Sequence, residues 1–395
     1  MMRLSILGST GSIGRNTLQV VREMAGRVRP LALAAGRNVD ELVPQILEFR
    51  PALVSVEDDG VRRRVLEALD QSALDAWRPE ILTGQEGLLA CVADVDCDAV
   101  VSAAVGVVGL PATYEAIRRG KRVALANKEV LVAAGELVMV AATASGAELL
   151  PVDSEHNALH QCLRAGRREE VDRLILTASG GPFRRTPASE MEAVTPEQAL
   201  RHPTWKMGAR ITIDSSTMMN KGFEVIEACW LFGFGPERVQ VVVHPQSIVH
   251  AMVEYRDGSV IAQLGPPDMK LPIRYALTDP DREQGPPERR LRWDAVRNLE
   301  FEPPDLARFP LLRLAYEAAE SGGGAGCVLN AADEVAVAAF LDREIPYLGI
   351  PGVVEKTLER CGDRRPSTLS EVVALDREAR AAAKEIAAAW AVAVG

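Results

Sequence analysis

Along residues 1–150, short apolar runs alternate with longer segments whose apolar residues recur every three or four positions. The runs at 3–7, 30–34, 53–56, 99–102, 122–126 and 148–150 are rich in Val, Ile, Leu and Ala and read as buried strands. The intervening segments predict helices, among them 39–49, 111–118 and 130–144. Such alternation builds a doubly wound parallel sheet whose ligands sit beyond the strand C-termini. After residue 150 the rhythm changes. Residues 174–177 and 239–244 read as buried strands, and Arg256-Asp257-Gly258 separates 247–255 from 259–264 as a hairpin turn would. Residues 279–310 are dense in proline and charge and read as a linker. From residue 311 the chain is alanine-rich with helical spacing, as at 331–341 and 376–393. The expectation is an α/β protein with an N-terminal doubly wound Rossmann-type domain (1–150) and a mixed α/β catalytic domain (151–278). A linker (279–310) and a C-terminal helical bundle (311–395) follow.

Composition narrows the class. A chain of 395 residues that is 47% hydrophobic can fill more than one core. A formal charge of −10 argues against broad nucleic-acid binding, which needs a basic surface. No signal-peptide pattern and no apolar run of spanning length is seen, so a membrane role is not expected. The six cysteines show no CxxC spacing and read as buried thiols of a cytoplasmic protein.

The first apolar run ends in Gly8-Ser9-Thr10-Gly11-Ser12-Ile13-Gly14, and Leu18, Val21 and Met24 then follow at helical spacing. Strand, glycine turn and helix is the setting of a dinucleotide fingerprint. Gly8 would make the tight turn, Gly11 would let a pyrophosphate approach, and Gly14 would let helix and strand pack closely. NAD sites usually end the second strand in an acid; here it ends in Gly36-Arg37-Asn38, with no acid before Asp40. Arg37 suits a 2′-phosphate, which favours NADP(H), although a plain surface arginine is the alternative.

The heptad Pro151-Val152-Asp153-Ser154-Glu155-His156-Asn157 holds candidate metal chemistry. In an extended chain Asp153 and Glu155 would point the same way, and a hard divalent cation would relieve their repulsion. The competing reading is a solvated turn before a helix, with Ser154 as its cap. Further on, Ser179 sits in a Ser/Gly turn after a strand, and Ser215, Asn220, Lys221 and Glu224 form a second polar cluster suited to phosphate oxygens. His202-Pro203-Thr204-Trp205-Lys206-Met207-Gly208 reads as a flap, or else Trp205 is a buried anchor. His156 and His160 stand four apart, but a zinc site would need a third ligand; helix polarity or support of other groups is preferred. His244 and His250 fit satisfied core histidines.

The fingerprint loop, Ala126-Asn127-Lys128-Glu129, the heptad, Ser179–Phe183, His202–Gly208, Asp214–Glu224, His244–His250 and Leu329-Asn330-Ala331-Ala332-Asp333-Glu334 occur in an order and spacing that resembles the 1-deoxy-D-xylulose 5-phosphate reductoisomerases. The resemblance spans nearly the whole chain. Ala178 departs from a frequent glycine, Arg37 from a common lysine, and Thr204 and Lys206 vary the flap. The resemblance implies an NADPH-dependent enzyme that rearranges a ketose phosphate, by retro-aldol cleavage and re-addition, and reduces the resulting aldehyde to 2-C-methyl-D-erythritol 4-phosphate. It implies Asp153, Glu155 and Glu224 as ligands of Mg²⁺, Mn²⁺ or Co²⁺, and Lys128 as a catalytic group. Ser154, Ser179, His202, Ser215, Asn220, Lys221 and His250 would hold the sugar phosphate, with His202 and Trp205 closing over it. Gly8, Thr10, Gly11, Ser12, Ile13, Gly36, Arg37, Asn38, Asn127, Glu129, Met207 and Gly208 would face the cofactor. A homodimer is the implied assembly. Two other classes remain: a homoserine- or semialdehyde-type dehydrogenase, which has no need of the three acids, and a non-catalytic NADP sensor, which would tolerate the loss of the acids and Lys128.

Overall fold

A computed structural model describes residues 1–72, 77–202, 207–296 and 298–394. The chain forms two compact units. The first comprises Met1–Val130, Val138–Asn157 and Asp268–Pro287; the second comprises Leu131–Leu137, Ala158–Pro267 and Glu288–Gly395.

The first unit is built on seven strands: β1 Met2–Leu7, β2 Val28–Ala34, β3 Leu53–Val56, β4 Glu80–Thr83, β5 Ala99–Ser102, β6 Arg122–Leu125 and β7 Leu149–Pro151. Their order is β4-β3-β2-β1-β5-β6-β7, and every pair is parallel. The order reverses between β1 and β5, so the ligand crevice of this sheet lies beyond their C-terminal ends. The apolar runs became strands because they are covered on both faces: Leu4, Ile6, Leu33, Val54, Val101 and Ala124 are all buried in one core. β4 is not foreshadowed in the sequence reading. Only Ile81 of its four residues is buried, too little to register as an apolar run. The helix Ser12–Glu23 buries Leu18 and Val21 as its spacing predicts. The helix Lys270–Thr278, far along the chain, returns to this unit and adds Ile273, Ala276 and Leu277 to its core.

The second unit holds a mixed four-stranded sheet of β8 Val171–Ala178, β9 Val239–Val243, β10 Val249–Tyr255 and β11 Val260–Leu264, in the order β11-β10-β8-β9. The expected hairpin is β10–β11. β8 and β9 are parallel neighbours, while β10 runs antiparallel to β8. Four helices, Pro310–Ser321, Ala325–Leu341, Gly349–Cys361 and Leu369–Val394, share its core with the sheet. The proline-rich stretch before them is tied down at its end: Glu302 bridges Val243, and His244 accepts and donates around Glu300, Ile248 and Val249. His244 is therefore a satisfied core histidine, stacked on Phe301.

Candidate active site

In the first unit the glycine loop leaves β1 at the switch point. Gly8 has φ +91°, a left-handed conformation that L side chains rarely adopt, and a Cβ there would lie 2.5 Å from the Ala103 carbonyl oxygen. That near contact holds the loop after β1 against the loop after β5. At Gly14 a Cβ would meet the Gly8 oxygen at 2.3 Å, so this glycine lets helix and strand pack closely. Gly11 meets nothing nearer than 3.3 Å, and it and Ser12 are exposed at the start of the helix Ser12–Glu23. The outcome is an exposed glycine turn at a positive helix end, which fits a dinucleotide pyrophosphate. Thr10 and Ile13 are half-buried beside it. Gly36, Arg37 and Asn38 are exposed at the end of β2, and Asn38 caps the next helix by accepting from the Glu41 N–H.

The loop after β6 carries Asn127, Lys128 and Glu129. Asn127 is buried and its amide donates to the carbonyls of Ala104 and Gly106, which fastens this loop to the one after β5. Lys128 is buried as well, and its ammonium lies 2.6 Å from the Asp153 carboxylate. The ammonium and the half-buried carboxylate in contact balance each other's charge.

The heptad is not extended beyond Val152. A helix, Ser154–Cys162, begins one residue after Asp153. The expectation of an extended chain through Asp153 and Glu155 is therefore corrected: the backbone winds into a helix from Ser154 onward. Glu155 lies in the first turn and accepts from the Ser154 hydroxyl at 2.5 Å. The residue that joins Asp153 is His156, fully buried, with a ring nitrogen within 4.8 Å of a carboxylate oxygen. From the sequence alone, His156 is expected to support other groups. The missed signal was its position three residues after Asp153 on a helix whose start Ser154 had marked. A carboxylate and an imidazole are a donor pair that fits Mn²⁺ or Co²⁺, and the carboxylate also fits Mg²⁺. Asn157 pins the helix, donating to the Pro151 and Pro272 carbonyls.

In the second unit the Ser/Gly turn after β8 meets the end of the helix Ala209–Ser216. Gly181 has φ +65°, and a Cβ there would lie 2.6 Å from the Ser215 oxygen. This close approach brings the two serine clusters together. Ser179 shares a hydrogen bond with His202 Nε2 at 3.0 Å, and its oxygen also accepts from the Gly181 N–H. Burial lowers the pKa of His202 from its ordinary value, favouring the neutral ring. On the helix Met219–Phe232, Glu224 is almost completely buried and binds both Asn220, at 2.6 Å, and Lys221. The three residues are one charged network rather than three independent contacts. His250 is buried in β10, and its backbone oxygen accepts from Thr177. Met207 is half-buried and Gly208 starts the helix Ala209–Ser216. Pro203, Thr204, Trp205 and Lys206, the centre of the expected flap, lie outside the described residues.

Three family models cover the chain: 1-deoxy-D-xylulose 5-phosphate reductoisomerase over residues 4–135, its C-terminal domain over 149–232, and the DXP reductoisomerase C-terminal domain over 264–382. A 1-deoxy-D-xylulose 5-phosphate reductoisomerase of Solibacter usitatus is 57% identical over 98% of both chains. The Zymomonas mobilis enzyme, solved in complex with NADPH, superposes with TM-score 0.90 at 45% identity, covering 98% of this chain and 99% of that one. A DOX-P reductoisomerase in complex with NADPH, fosmidomycin and magnesium also gives TM-score 0.90, at 40% identity over 98% of both chains. With similarity extending across both units at this level, the chain belongs to the 1-deoxy-D-xylulose 5-phosphate reductoisomerase family.

Proposed function

We propose that the protein converts 1-deoxy-D-xylulose 5-phosphate to 2-C-methyl-D-erythritol 4-phosphate, with NADPH and a divalent metal. The observation that carries this reading is the Lys128–Asp153 ion pair, a buried ammonium on a half-buried carboxylate, at the C-terminal edge of the parallel sheet. A plain dehydrogenase has no use for this carboxylate–ammonium pair beside a second ligand type, the buried His156. NADPH supplies the hydride for the reduction, and the metal supplies Lewis acidity toward the substrate oxygens. Asp153, Glu155 and Glu224 are assigned to the metal, with His156 beside Asp153. Lys128 pairs with Asp153 and offers its ammonium to substrate oxygens that gain negative charge. Ser154 is assigned to the substrate beside Glu155, and Ser179, Ser215, Asn220 and Lys221 donate to its phosphate. His250 stands near that phosphate, and His202 orients the Ser179 hydroxyl. Trp205 is assigned to the substrate's carbon skeleton. The cofactor lies along Gly8–Ile13, Gly36–Asn38, Asn127 and Glu129, with Met207 and Gly208 on its nicotinamide side. Purified protein given NADPH, Mn²⁺ and the ketose phosphate should yield the branched tetritol phosphate by mass and NMR. EDTA should abolish turnover and added Mn²⁺ restore it; full turnover in chelated protein sinks the metal assignment.

Segments 1–150, 151–278 and 311–395 are assigned nucleotide-binding, catalytic and bracing roles. A cytoplasmic home is supported by six free cysteines, and no helix among the described residues is long and apolar enough to cross a membrane. A homodimer is supported by β11, an edge strand that leaves Val260 48% and Ile261 39% exposed. An apolar, unpaired edge is a template for a second copy of the same strand. Ile261→Lys should shift the protein to monomer in sedimentation velocity; an unmodified protein that sediments as a monomer at micromolar concentration would count against this assembly.

A further inference from the structure

The acid that the end of β2 lacks is supplied from the neighbouring strand. Glu57 directly follows β3, and one of its carboxylate oxygens would lie 3.7 Å from a Cβ placed on Gly36. Its other oxygen accepts from the Arg37 guanidinium at 2.7 Å. The two side chains are largely exposed, so solvent weakens this pair and Arg37 can exchange partners at small cost.

We propose that Glu57 sets how strongly the protein discriminates between NADPH and NADH, by competing with the adenosine 2′-phosphate for Arg37. The inference rests on the NADPH reading above and on the placement of Arg37 beside the adenosine ribose. A 2′-phosphate carries up to about two negative charges and three acceptor oxygens, so it displaces a monoanionic carboxylate from the guanidinium fork. For NADH the same carboxylate acts in the opposite sense. It sits over Gly36 as an acceptor of the kind a ribose 2′-hydroxyl requires. Glu57 thus weakens binding of the phosphorylated cofactor and does not weaken binding of the other.

The remaining charged neighbours divide clearly. The Asp58 carboxylate accepts from the Val61 N–H and caps the helix Asp59–Gln71, so it is occupied locally. Arg64, on that helix, donates to the Arg37 carbonyl at 3.4 Å and brings a second positive charge to the same edge. Arg64 attracts a 2′-phosphate whether or not Arg37 is engaged by Glu57.

Cofactor-free protein titrated with NADPH and with NADH, followed by dihydronicotinamide fluorescence, reads both affinities without turnover. Glu57→Gln should tighten NADPH by about threefold or more and leave NADH the same or weaker. Glu57→Ala should act in the same direction. The gain should shrink as salt is raised, and it should vanish when Arg37 is also changed to Gln. Unchanged or weakened NADPH binding in both Glu57 variants would overturn the proposal, and so would a gain that persists without Arg37. Equal affinity of the unmodified protein for the two cofactors, with a preference for NADPH emerging in Glu57→Gln, would retain the role of Glu57 and overturn the NADPH reading alone.

Discussion

Asp153→Asn should lower kcat/KM by about a thousandfold or more, with NADPH affinity unchanged within about twofold. The side chain has two tasks that an amide cannot perform. In the proposed site it is an anionic ligand next to His156, and its carboxylate lies 2.6 Å from the buried Lys128 ammonium. An amide oxygen is a poorer ligand for a hard cation, so Mn²⁺ affinity should fall as well. The loss of the carboxylate also leaves the buried Lys128 ammonium against a neutral group, without the anion that balances its charge. Cofactor affinity is spared because the pyrophosphate cradle at Gly8–Gly14 makes no use of Asp153. Steady-state kinetics, metal titration and cofactor titration on one preparation test the three statements together. A variant that retains its kcat/KM would remove Asp153 from the chemistry.

Gly8→Ala should reduce NADPH affinity by about a hundredfold or more and destabilise the protein by about 1–3 kcal/mol. Two physical effects combine. At φ +91° an L side chain is strained, and the added methyl would lie 2.5 Å from the Ala103 oxygen and 2.9 Å from the Ala104 nitrogen. Both contacts are with backbone, so neither can be relieved by a rotamer change. The loops after β1 and β5 must separate, and they form the floor of the crevice at the switch point. Gly26 separates the two effects. Its φ is +80°, but a Cβ there meets nothing within 4 Å. Gly26→Ala should carry the strain alone, with a modest drop in thermal stability and normal NADPH binding. If Gly8→Ala proves no worse than Gly26→Ala in both measurements, the close approach to Ala103 has no functional weight.

Much of this was written in the chain. Strands buried on both faces must be continuous apolar runs, so β1, β2, β3, β5 and β6 were visible as such. The turn glycines were readable because Gly8 and Gly14 have no substitute where backbone meets backbone. The site residues were nameable since ammonium, carboxylate and hydroxyl groups in polar motifs have few structural uses when buried. What the sequence lacks is direction. Whether residues after Val152 continue as strand or wind into helix is decided by tertiary contacts, such as Asn157 donating to Pro151 and to the distant Pro272. That choice brought His156 beside Asp153. Partners across the chain were equally hidden. Lys128 meets Asp153, and Arg37 meets Glu57 rather than an acid of its own strand. Local spacing fixes which groups a segment can offer. Pairing between strands and the start of a helix set where those groups point, and both depend on contacts between residues far apart in sequence.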